Sequence, residues 1–495
     1  MRNLTVSGRL YSNGLYGRNE LLNDISPGGR PREKCGIFAV YNLDNPEKTS
    51  HISYLGLLAL QHRGQESAGM AYQGTNGIEC FKGMGLVENV FTRSALNSIR
   101  AATILGHVRY STTGSSEVDN AQPLLARSFN KTGIALAHNG NLTNTRRLYN
   151  EQIFDGQIFH TTSDTEIILS YIFRYRHEGL VKAVQKTMDI VKGAYAAVVM
   201  DEEQVVAFRD PGGYRPLVIG RLGQAYIFTS ETAALDAVGA VFLREIKPGE
   251  IVSVGPDGLN SLITFQQGVK PSLCIFEYVY FSRPDSNIDG QSVHMVRKKV
   301  GSLLAGRIPV IPDMVIPSPD SGVSAAMGLA EALDLPLEWA VHRNPYLGRT
   351  FIAPTQDERE MTVRLKFNPI AKLVGGKKVA IVDDSLVRGT TARILTRLLR
   401  AAGTAEVHLC IASPPYKNPC YYGIDIPAAA ELAAHESGFS QLEGSIGANS
   451  ITFSEPEDLY RALGKGKNEY CTACFSGEYK ENNMNEVSGN DQISE

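Results

Sequence analysis

The chain has 495 residues, in which 49 Lys and Arg nearly balance 52 Asp and Glu for a net charge of −3. This length exceeds what one hydrophobic core supports, so we expect two domains, and the charge balance argues against nucleic acid as a partner. We find no apolar run that could span a bilayer and no signal peptide. Seven cysteines in so long a chain do not resemble a secreted disulfide framework, so we expect a cytoplasmic protein without a membrane anchor.

The predicted elements begin after residues 1–34, a polar, glycine-rich leader with little to bury. Strands are then expected at 36–41, 104–108, 134–138, 196–201 and 226–229, with clear helices at 51–62 and 164–176. After a polar stretch at residues 265–271, strands alternate regularly with helices, which is typical of a parallel α/β sheet. We therefore predict domains at 35–265 and 266–480 and a disordered tail at 481–495.

The sharpest pattern in the second half is a strand, a loop and a helix over residues 379–402. An apolar run predicts a buried strand, and the amide groups and dipole at the start of the helix favour a phosphate. A glycine lets the backbone approach the ligand, and two carboxylates at the strand end can accept hydrogen bonds from ribose hydroxyls. The residues concerned are Asp383, Asp384, Gly389, Thr390 and Thr391. The alternative is an ordinary acidic turn.

This segment resembles the 13-residue motif with which type I phosphoribosyltransferases bind 5-phosphoribosyl 1-diphosphate (PRPP). The resemblance implies that the two carboxylates hold the ribose hydroxyls and that the following loop binds the 5-phosphate through Ser385, Arg388, Gly389, Thr390 and Thr391. A second strand–loop–helix at 314–333 would bind the diphosphate through Asp320 and Ser321, the alternative being a generic crossover turn with one of these residues as helix cap. Mg²⁺ would be held by Ser321, Asp383 and Asp384. The polar segment 343–368 is expected to form a lid, the alternative being a solvated surface loop; its cations are Arg349, Arg359, Arg364 and Lys366.

The first half carries Cys35 and four polar islands, at residues 62–67, 106–112, 138–141 and 163–166. Splitting an amide needs a nucleophile, a base, donors to the oxyanion and anchors for the charged ends of the substrate. Cysteine suits the first role. Arg109 can bind the α-carboxylate of glutamine and Asp164 its α-ammonium, while Asn139 and the Gly140 N–H can donate to the oxyanion.

Cys35 and these islands are similar to the N-terminal-nucleophile glutamine amidotransferases, whose fold is a four-layer αββα sandwich. The resemblance implies that the α-amine of Cys35 is the general base, so that residues 1–34 must be removed, and that Gly64 and Thr112 contribute to glutamine binding. The nearby His62, His107 and His138 are expected to serve packing and hydrogen bonding rather than catalysis.

The two halves together resemble the glutamine phosphoribosyldiphosphate amidotransferases from Cys35 to about Tyr479. That resemblance implies an N-terminal glutaminase domain followed by a Rossmann-like parallel-sheet phosphoribosyltransferase domain. The first would hydrolyse glutamine, and the ammonia would pass inside the protein to C1 of PRPP, giving 5-phosphoribosylamine in purine biosynthesis. It also implies Mg²⁺, feedback by purine nucleotides and a homotetramer.

Four further cysteines are Cys274, Cys420, Cys471 and Cys474, of which the last two form a CxxC pair. That spacing alone is compatible with a zinc site, a redox pair or chance. One branch of the amidotransferase family carries a [4Fe–4S] cluster, and the four positions resemble its ligands. Two rivals to the whole interpretation remain: an amidotransferase with a different acceptor, and a non-catalytic PRPP-binding regulator.

Overall fold

The computed structural model describes residues 35–42, 44–110, 116–129, 132–264, 269–344, 367–424, 432 and 439–480. The predicted leader, the tail, Thr112 and most of the predicted lid lie outside these residues. Within them, no helix has both the length and the apolar character needed to cross a membrane.

The first part of the chain folds into two antiparallel sheets with helices on their outer faces. In chain order its elements are β1 (Gly36–Tyr41), α1 (Pro46–Ala59), β2 (Ser67–Gly74), β3 (Gly77–Met84), α2 (Val87–Val90), α3 (Arg93–Ser98), β4 (Ile104–Arg109), β5 (Leu124–Arg127), β6 (Gly133–Leu142), α4 (Thr145–Phe154), α5 (Asp164–Tyr175), α6 (Leu180–Ile190), β7 (Gly193–Met200), β8 (Val205–Arg209), β9 (Val218–Leu222), β10 (Ala225–Thr229), α7 (Thr232–Val238), β11 (Val241–Glu245), β12 (Glu250–Gly255) and β13 (Gly258–Ile263).

The layers of this part follow from strands that are apolar on both faces. The first sheet has the order β11-β9-β10-β1-β4-β2-β3 and the second the order β13-β12-β8-β7-β6-β5. Ile37, Leu105 and Val198 belong to the core between the sheets, while Phe38 packs in the core under α1 and Leu136 in the core under α5 and α6. Burial of both faces explains why β1 reads as a continuous apolar run. The predicted αββα sandwich is confirmed.

The second part of the chain is an α/β unit built on a parallel sheet. Its elements are β14 (Leu273–Cys274), a short π-helix (Glu277–Phe281), β15 (Asn287–Ile288), β16 (Gln291–Ser292), α8 (Val293–Leu304), β17 (Met314–Pro317), α9 (Val323–Leu333), β18 (Val341–Arg343), β19 (Phe367–Pro369), α10 (Ala371–Val374), β20 (Lys378–Asp383), α11 (Thr390–Ala401), β21 (Glu406–Ile411), α12 (Phe439–Ile446), β22 (Ser450–Phe453), α13 (Pro456–Leu463), β23 (Tyr470–Cys471) and α14 (Ala473–Ser476).

The main sheet of this unit has the order β17-β20-β21-β22, and each neighbouring pair is parallel. The predicted phosphoribosyltransferase architecture is thereby confirmed. A separate small ladder pairs β14 in parallel with β23, so that the first and last strands of the unit lie side by side.

The observed element ends differ from the predicted ones by local chemistry. Helix α1 starts five residues before the predicted position 51, because the side chain of Asn45 accepts a hydrogen bond from Glu47 N and Pro46 occupies the first turn. Strand β6 extends to Leu142, four residues beyond the predicted end at 138, because Asn139 to Leu142 continue the pairing with β7.

Candidate active sites

The Cys35 thiol lies at the entrance to β1, partly buried, with Sγ 3.8 Å from the carbonyl oxygen of Tyr110. Burial raises the pKa of this thiol to about 11, while the positive charge of Arg109 lowers it and the carboxylates of Glu66 and Asp164 raise it. Three charged side chains from separate segments thus lie near enough to the sulfur to influence its ionisation. At neutral pH the group is a thiol, so its reaction as a nucleophile requires a base.

Arg109 ends β4, the strand that pairs with β1. Its guanidinium is almost fully buried, and Nη1 binds Oε1 of Glu66 at 2.6 Å. Gly64 packs directly on the backbone of Arg109, where a Cβ would come within 2.7 Å of the Arg109 nitrogen. Glu66 was given no role from the sequence, although it orients the predicted carboxylate anchor.

Asn139 lies on β6 in the second sheet and has no solvent exposure. Neither its Nδ2 nor its Oδ1 has a hydrogen-bond partner among the described residues. The next residue, Gly140, approaches β7 so closely that a Cβ would overlap the carbonyl oxygen of Ala194. A buried amide without a partner is costly in a folded protein, so this one is suited to a group that arrives with the substrate.

Asp164 opens α5, whose N-cap Ser163 accepts a hydrogen bond from Thr165 N. Its Oδ2 accepts from Leu142 N at 2.9 Å, and its Oδ1 lies 3.8 Å from Nδ1 of His138. The buried carboxylate is thus fixed against the same strand that carries Asn139. The structure brings together the predicted Cys35, Arg109 and Asp164, whereas Thr112 lies outside the described residues.

The second site lies at the carboxyl edge of the parallel sheet. Asp383 ends β20, its Oδ1 accepts from Asp384 N at 3.0 Å, and Asp384 in turn accepts a short hydrogen bond from the hydroxyl of Ser385. Gly389 has φ of +71° and precedes Thr390, the first residue of α11. Because this left-handed conformation suits glycine, the loop can present successive N–H groups at the helix start. Arg388, Thr390 and Thr391 are half-buried around that point.

The neighbouring loop after β17 meets the acidic loop directly. Pro317 pairs with Val382, and Ser318 N donates to the Val382 carbonyl at 2.8 Å. Asp320 is exposed and forms a short ion pair with Arg343, whereas Ser321 Oγ is buried without a hydrogen-bond partner in the described part of the chain. The predicted diphosphate and ribose loops therefore share one edge. The predicted lid residues Arg349, Arg359, Arg364 and Lys366 lie outside the described residues.

The four remaining predicted ligands come together where the two parts of the chain meet. Cys274 pairs in register with Cys471 across the β14–β23 ladder, and the carbonyl of Cys474 accepts hydrogen bonds from the segment that leads to Cys420. Burial and, to a lesser extent, the neighbouring Cys274 raise the pKa of Cys420 to about 11. In the described ranges, no group of three or more His, Cys, Asp or Glu side chains is arranged to hold a metal ion.

A buried ionic network beside Cys35 joins the two parts of the chain and was missed from the sequence. Arg63 is 1% exposed and binds Oε1 of Glu231 at 2.5 Å and both carboxylate oxygens of Glu277 at 2.9 and 3.0 Å. Its Nε also donates to the carbonyl of Cys35 at 3.2 Å. Arg215 continues the network, 3.5 Å from Glu277. These partners are far apart in sequence, so no spacing pattern signals them.

The comparisons with known proteins agree with this geometry. Residues 107–237 match the family described as a glutamine amidotransferase domain. The chain is 43% identical over 451 residues to the amidophosphoribosyltransferase of Bacillus subtilis, covering 90% of this chain and 94% of that protein. It is 41% identical to the amidophosphoribosyltransferase of Archaeoglobus fulgidus, covering 90% and 97%.

A solved structure shows the same similarity. It is described as glutamine phosphoribosylpyrophosphate (PRPP) amidotransferase from B. subtilis complexed with ADP and GMP. It is 43% identical, covers 90% of this chain and 97% of its own, and superposes with a TM-score of 0.84.

Proposed function

The chain belongs to the amidophosphoribosyltransferase family, and from that premise we propose how its residues divide the reaction between two sites. It is a glutamine amidotransferase and pentosyltransferase that carries out the first step of purine biosynthesis. Glutamine is hydrolysed to glutamate, and its amide nitrogen displaces diphosphate at C1 of PRPP to give 5-phosphoribosylamine.

Cys35 is the proposed nucleophile. Its thiolate attacks the amide carbon of glutamine, ammonia leaves, and water hydrolyses the resulting glutamyl thioester. Because burial raises the pKa of the thiol to about 11, a base must take the proton. The α-amine of Cys35, set free by removal of residues 1–34, has an ordinary pKa of about 8 and is placed on the same residue.

One observation carries this assignment: the Cys35 thiol lies 3.8 Å from the carbonyl oxygen of Tyr110, the residue after Arg109, and Asp164 is fixed against the strand that carries Asn139. A cation and an anion beside one nucleophile match the α-carboxylate and α-ammonium of glutamine. Glu66 holds the guanidinium of Arg109 in place. Asn139 Nδ2 and the Gly140 N–H then serve as donors to the oxyanion, and the unpartnered Asn139 amide supports this role.

The second half provides the acceptor site. Asp383 and Asp384 accept hydrogen bonds from the ribose hydroxyls, and the loop from Ser385 to Thr391 binds the 5-phosphate at the start of α11. Mg²⁺, when bound, neutralises charge on the diphosphate, and Ser321, Asp383 and Asp384 are its proposed protein ligands. Since Mg²⁺ usually combines one or two carboxylates with substrate phosphates, no complete protein cage is needed before PRPP binds.

The four cysteines are proposed to hold a [4Fe–4S] cluster, which would act as a structural or redox-sensitive group. The residues are of the right kind for it: Cys274, Cys471 and Cys474 are buried thiols, and the partly buried Cys420 packs against the hydrophobic cluster that contains Cys471. Burial together with the neighbouring Cys274 raises the pKa of Cys471. A zinc ion needs four sulfurs about 2.3 Å from one point. Among the described residues no group of three or more His, Cys, Asp or Glu side chains is arranged to hold a metal ion, so the cluster is proposed from the family resemblance and from the four thiols.

Three further properties extend the proposal. Purine nucleotides are expected to inhibit the enzyme, in keeping with the B. subtilis structure described as complexed with ADP and GMP. A homotetramer is expected from the family resemblance, and a cytoplasmic location from the composition of the chain.

The deciding experiment measures glutamate release by anaerobically purified protein, with and without Mg²⁺ and PRPP. Strong stimulation by PRPP is expected, with loss of all release in Cys35→Ala and little change in Cys80→Ala, a cysteine on β3 outside the site. An equal rate of glutamate release with and without PRPP would contradict the proposed coupling and indicate another acceptor. Mass spectrometry of the N-terminus reports whether residues 1–34 have been removed.

A further inference from the structure

The residue before the proposed oxyanion donors is held from three directions. His138 N donates to Oε1 of Gln122 at 2.7 Å, the His138 carbonyl oxygen lies 3.0 Å from Nε2 of His107, and His138 Nδ1 lies 3.2 Å from Oγ1 of Thr165. Gln122 also donates to Thr165 Oγ1 at 3.0 Å, which closes the arrangement. We call His107, Gln122 and Thr165 the His138 clamp.

The clamp binds backbone groups of His138 that the short strand β5 does not reach. Strand β5 pairs with β6 only from Leu124, opposite Leu136, to Arg127, opposite Gly133, so His138 lies beyond the end of that ladder. In an antiparallel sheet the N–H and the carbonyl of one residue point to the same side. Gln122 and His107 therefore satisfy the two backbone groups that a longer β5 would have paired.

His107 acts as a neutral donor in this contact. The carbonyl oxygen only accepts, so Nε2 of His107 carries the proton. Burial lowers the pKa of His107 to about 3, which keeps the ring uncharged and in one tautomer at neutral pH. Its Nδ1 has no hydrogen-bond partner among the described residues, so the bond to His138 is the contact that orients the ring.

The contact joins the two sheets that carry the catalytic groups. His107 lies on β4, opposite Ile37 of the strand that follows Cys35, and two residues before Arg109. His138 lies on β6, one residue before Asn139, and Thr165 follows Asp164. The clamp thus connects the nucleophile strand, the oxyanion strand and the helix that carries the ammonium anchor.

We propose that His107 is a positioning residue for glutamine hydrolysis, which fixes Asn139 and Gly140 relative to Cys35 by holding the His138 carbonyl. This inference rests on the proposed function of Asn139 and Gly140 as oxyanion donors. Since the Asn139 side chain has no partner of its own in the described part of the chain, its direction depends on the backbone that the clamp holds. Displacing catalytic donors by a fraction of an ångström to 1 Å slows a reaction strongly.

The test compares His107→Met, which keeps the volume but loses the donor, with His107→Gln, whose Nε2 can reach the same carbonyl. For His107→Met, kcat of glutamine hydrolysis is expected to fall on the order of 10- to 100-fold, with KM for glutamine changed less than about threefold. His107→Gln is expected to recover most of this loss. Synthesis of phosphoribosylamine from added ammonium chloride, which bypasses the glutaminase site, is expected to stay at the wild-type rate.

Gln122→Met removes the opposite side of the clamp and provides a second variant if His107→Met does not fold. The same fall in kcat without a rise in KM is expected. Wild-type kcat in both donor-free variants, or equal loss in His107→Gln and His107→Met, would overturn the inference. If the proposed function itself were wrong, the result would differ: the wild-type protein would not hydrolyse glutamine, or would hydrolyse it equally well in Cys35→Ala.

Discussion

Removing Arg63 tests the ionic network between the two halves of the chain. In Arg63→Met, Glu231 and Glu277 keep their carboxylates, both 0% exposed, but lose the guanidinium that binds them. Breaking a buried ion pair from one side typically costs about 3–5 kcal/mol. Glu277 retains Arg215 at 3.5 Å and the Ser282 hydroxyl at 2.9 Å, so the lower end, about 3 kcal/mol, is expected.

The assay is urea unfolding followed by circular dichroism, with Arg147→Met as the matched control. Arg147 forms an exposed pair with Glu151 on α4, and such pairs contribute only about 0.3–0.5 kcal/mol. Arg63→Met/Glu277→Gln is expected to recover part of the loss, because one uncompensated charge is removed. A loss below about 1 kcal/mol in Arg63→Met, or no recovery in the double variant, would refute the reasoning.

The same network predicts a dependence on pH. Burial opposes ionisation of Glu231, but His62 and Arg63 hold its pKa well below the ordinary value. A carboxyl group with a lowered folded-state pKa contributes stability above its unfolded pKa, about 4.3, and loses it as the pH falls toward the folded pKa. Acid unfolding of the wild-type protein is therefore expected to be steeper below about pH 4 than that of Arg63→Met.

Three further outcomes are expected. Alkylation of Cys35 in protein that retains residues 1–34 should accelerate about tenfold per pH unit between pH 7 and 10, because the thiol pKa is about 11; a flat profile would contradict this. Gly140→Ala should lower glutaminase kcat on the order of 100-fold while ammonia-dependent synthesis is kept, since its Cβ would overlap the Ala194 carbonyl; unchanged kcat would count against the oxyanion assignment. Cys471→Ser should abolish the visible absorbance of anaerobically purified protein, whereas Cys80→Ser should not; equal spectra would argue against the cluster.

Local chemistry was the part of the structure that the sequence predicted well. The loop between β20 and α11 could be read directly, because the acidic pair, Gly389 and the threonines are neighbours in the chain. Cys35, Arg109 and Asp164 required the family resemblance, since they come together only when β1, β4 and α5 pack. The predicted domain limits and the assigned roles of these residues stay predictions.

Contacts between distant segments were not predictable in this way. Nothing near Arg63 in sequence indicates that it binds Glu231 and Glu277, which lie 168 and 214 residues away. The roles of Glu66 and of the His138 clamp were missed for a related reason. Glu66 binds Arg109 because β2 pairs with β4, and the clamp forms because β5 begins to pair with β6 only at Leu124; both follow from tertiary pairing.

The small β14–β23 ladder has a consequence for biosynthesis. Leu273–Cys274 can pair with Tyr470–Cys471 only after nearly the whole chain has left the ribosome. The first part, through β13, has all its strand partners within itself and can fold while the rest is being translated. The four cysteines can therefore come together only after translation is nearly complete, so any group that they hold would be inserted after translation, and chains that stop before residue 470 are expected to be targets for degradation.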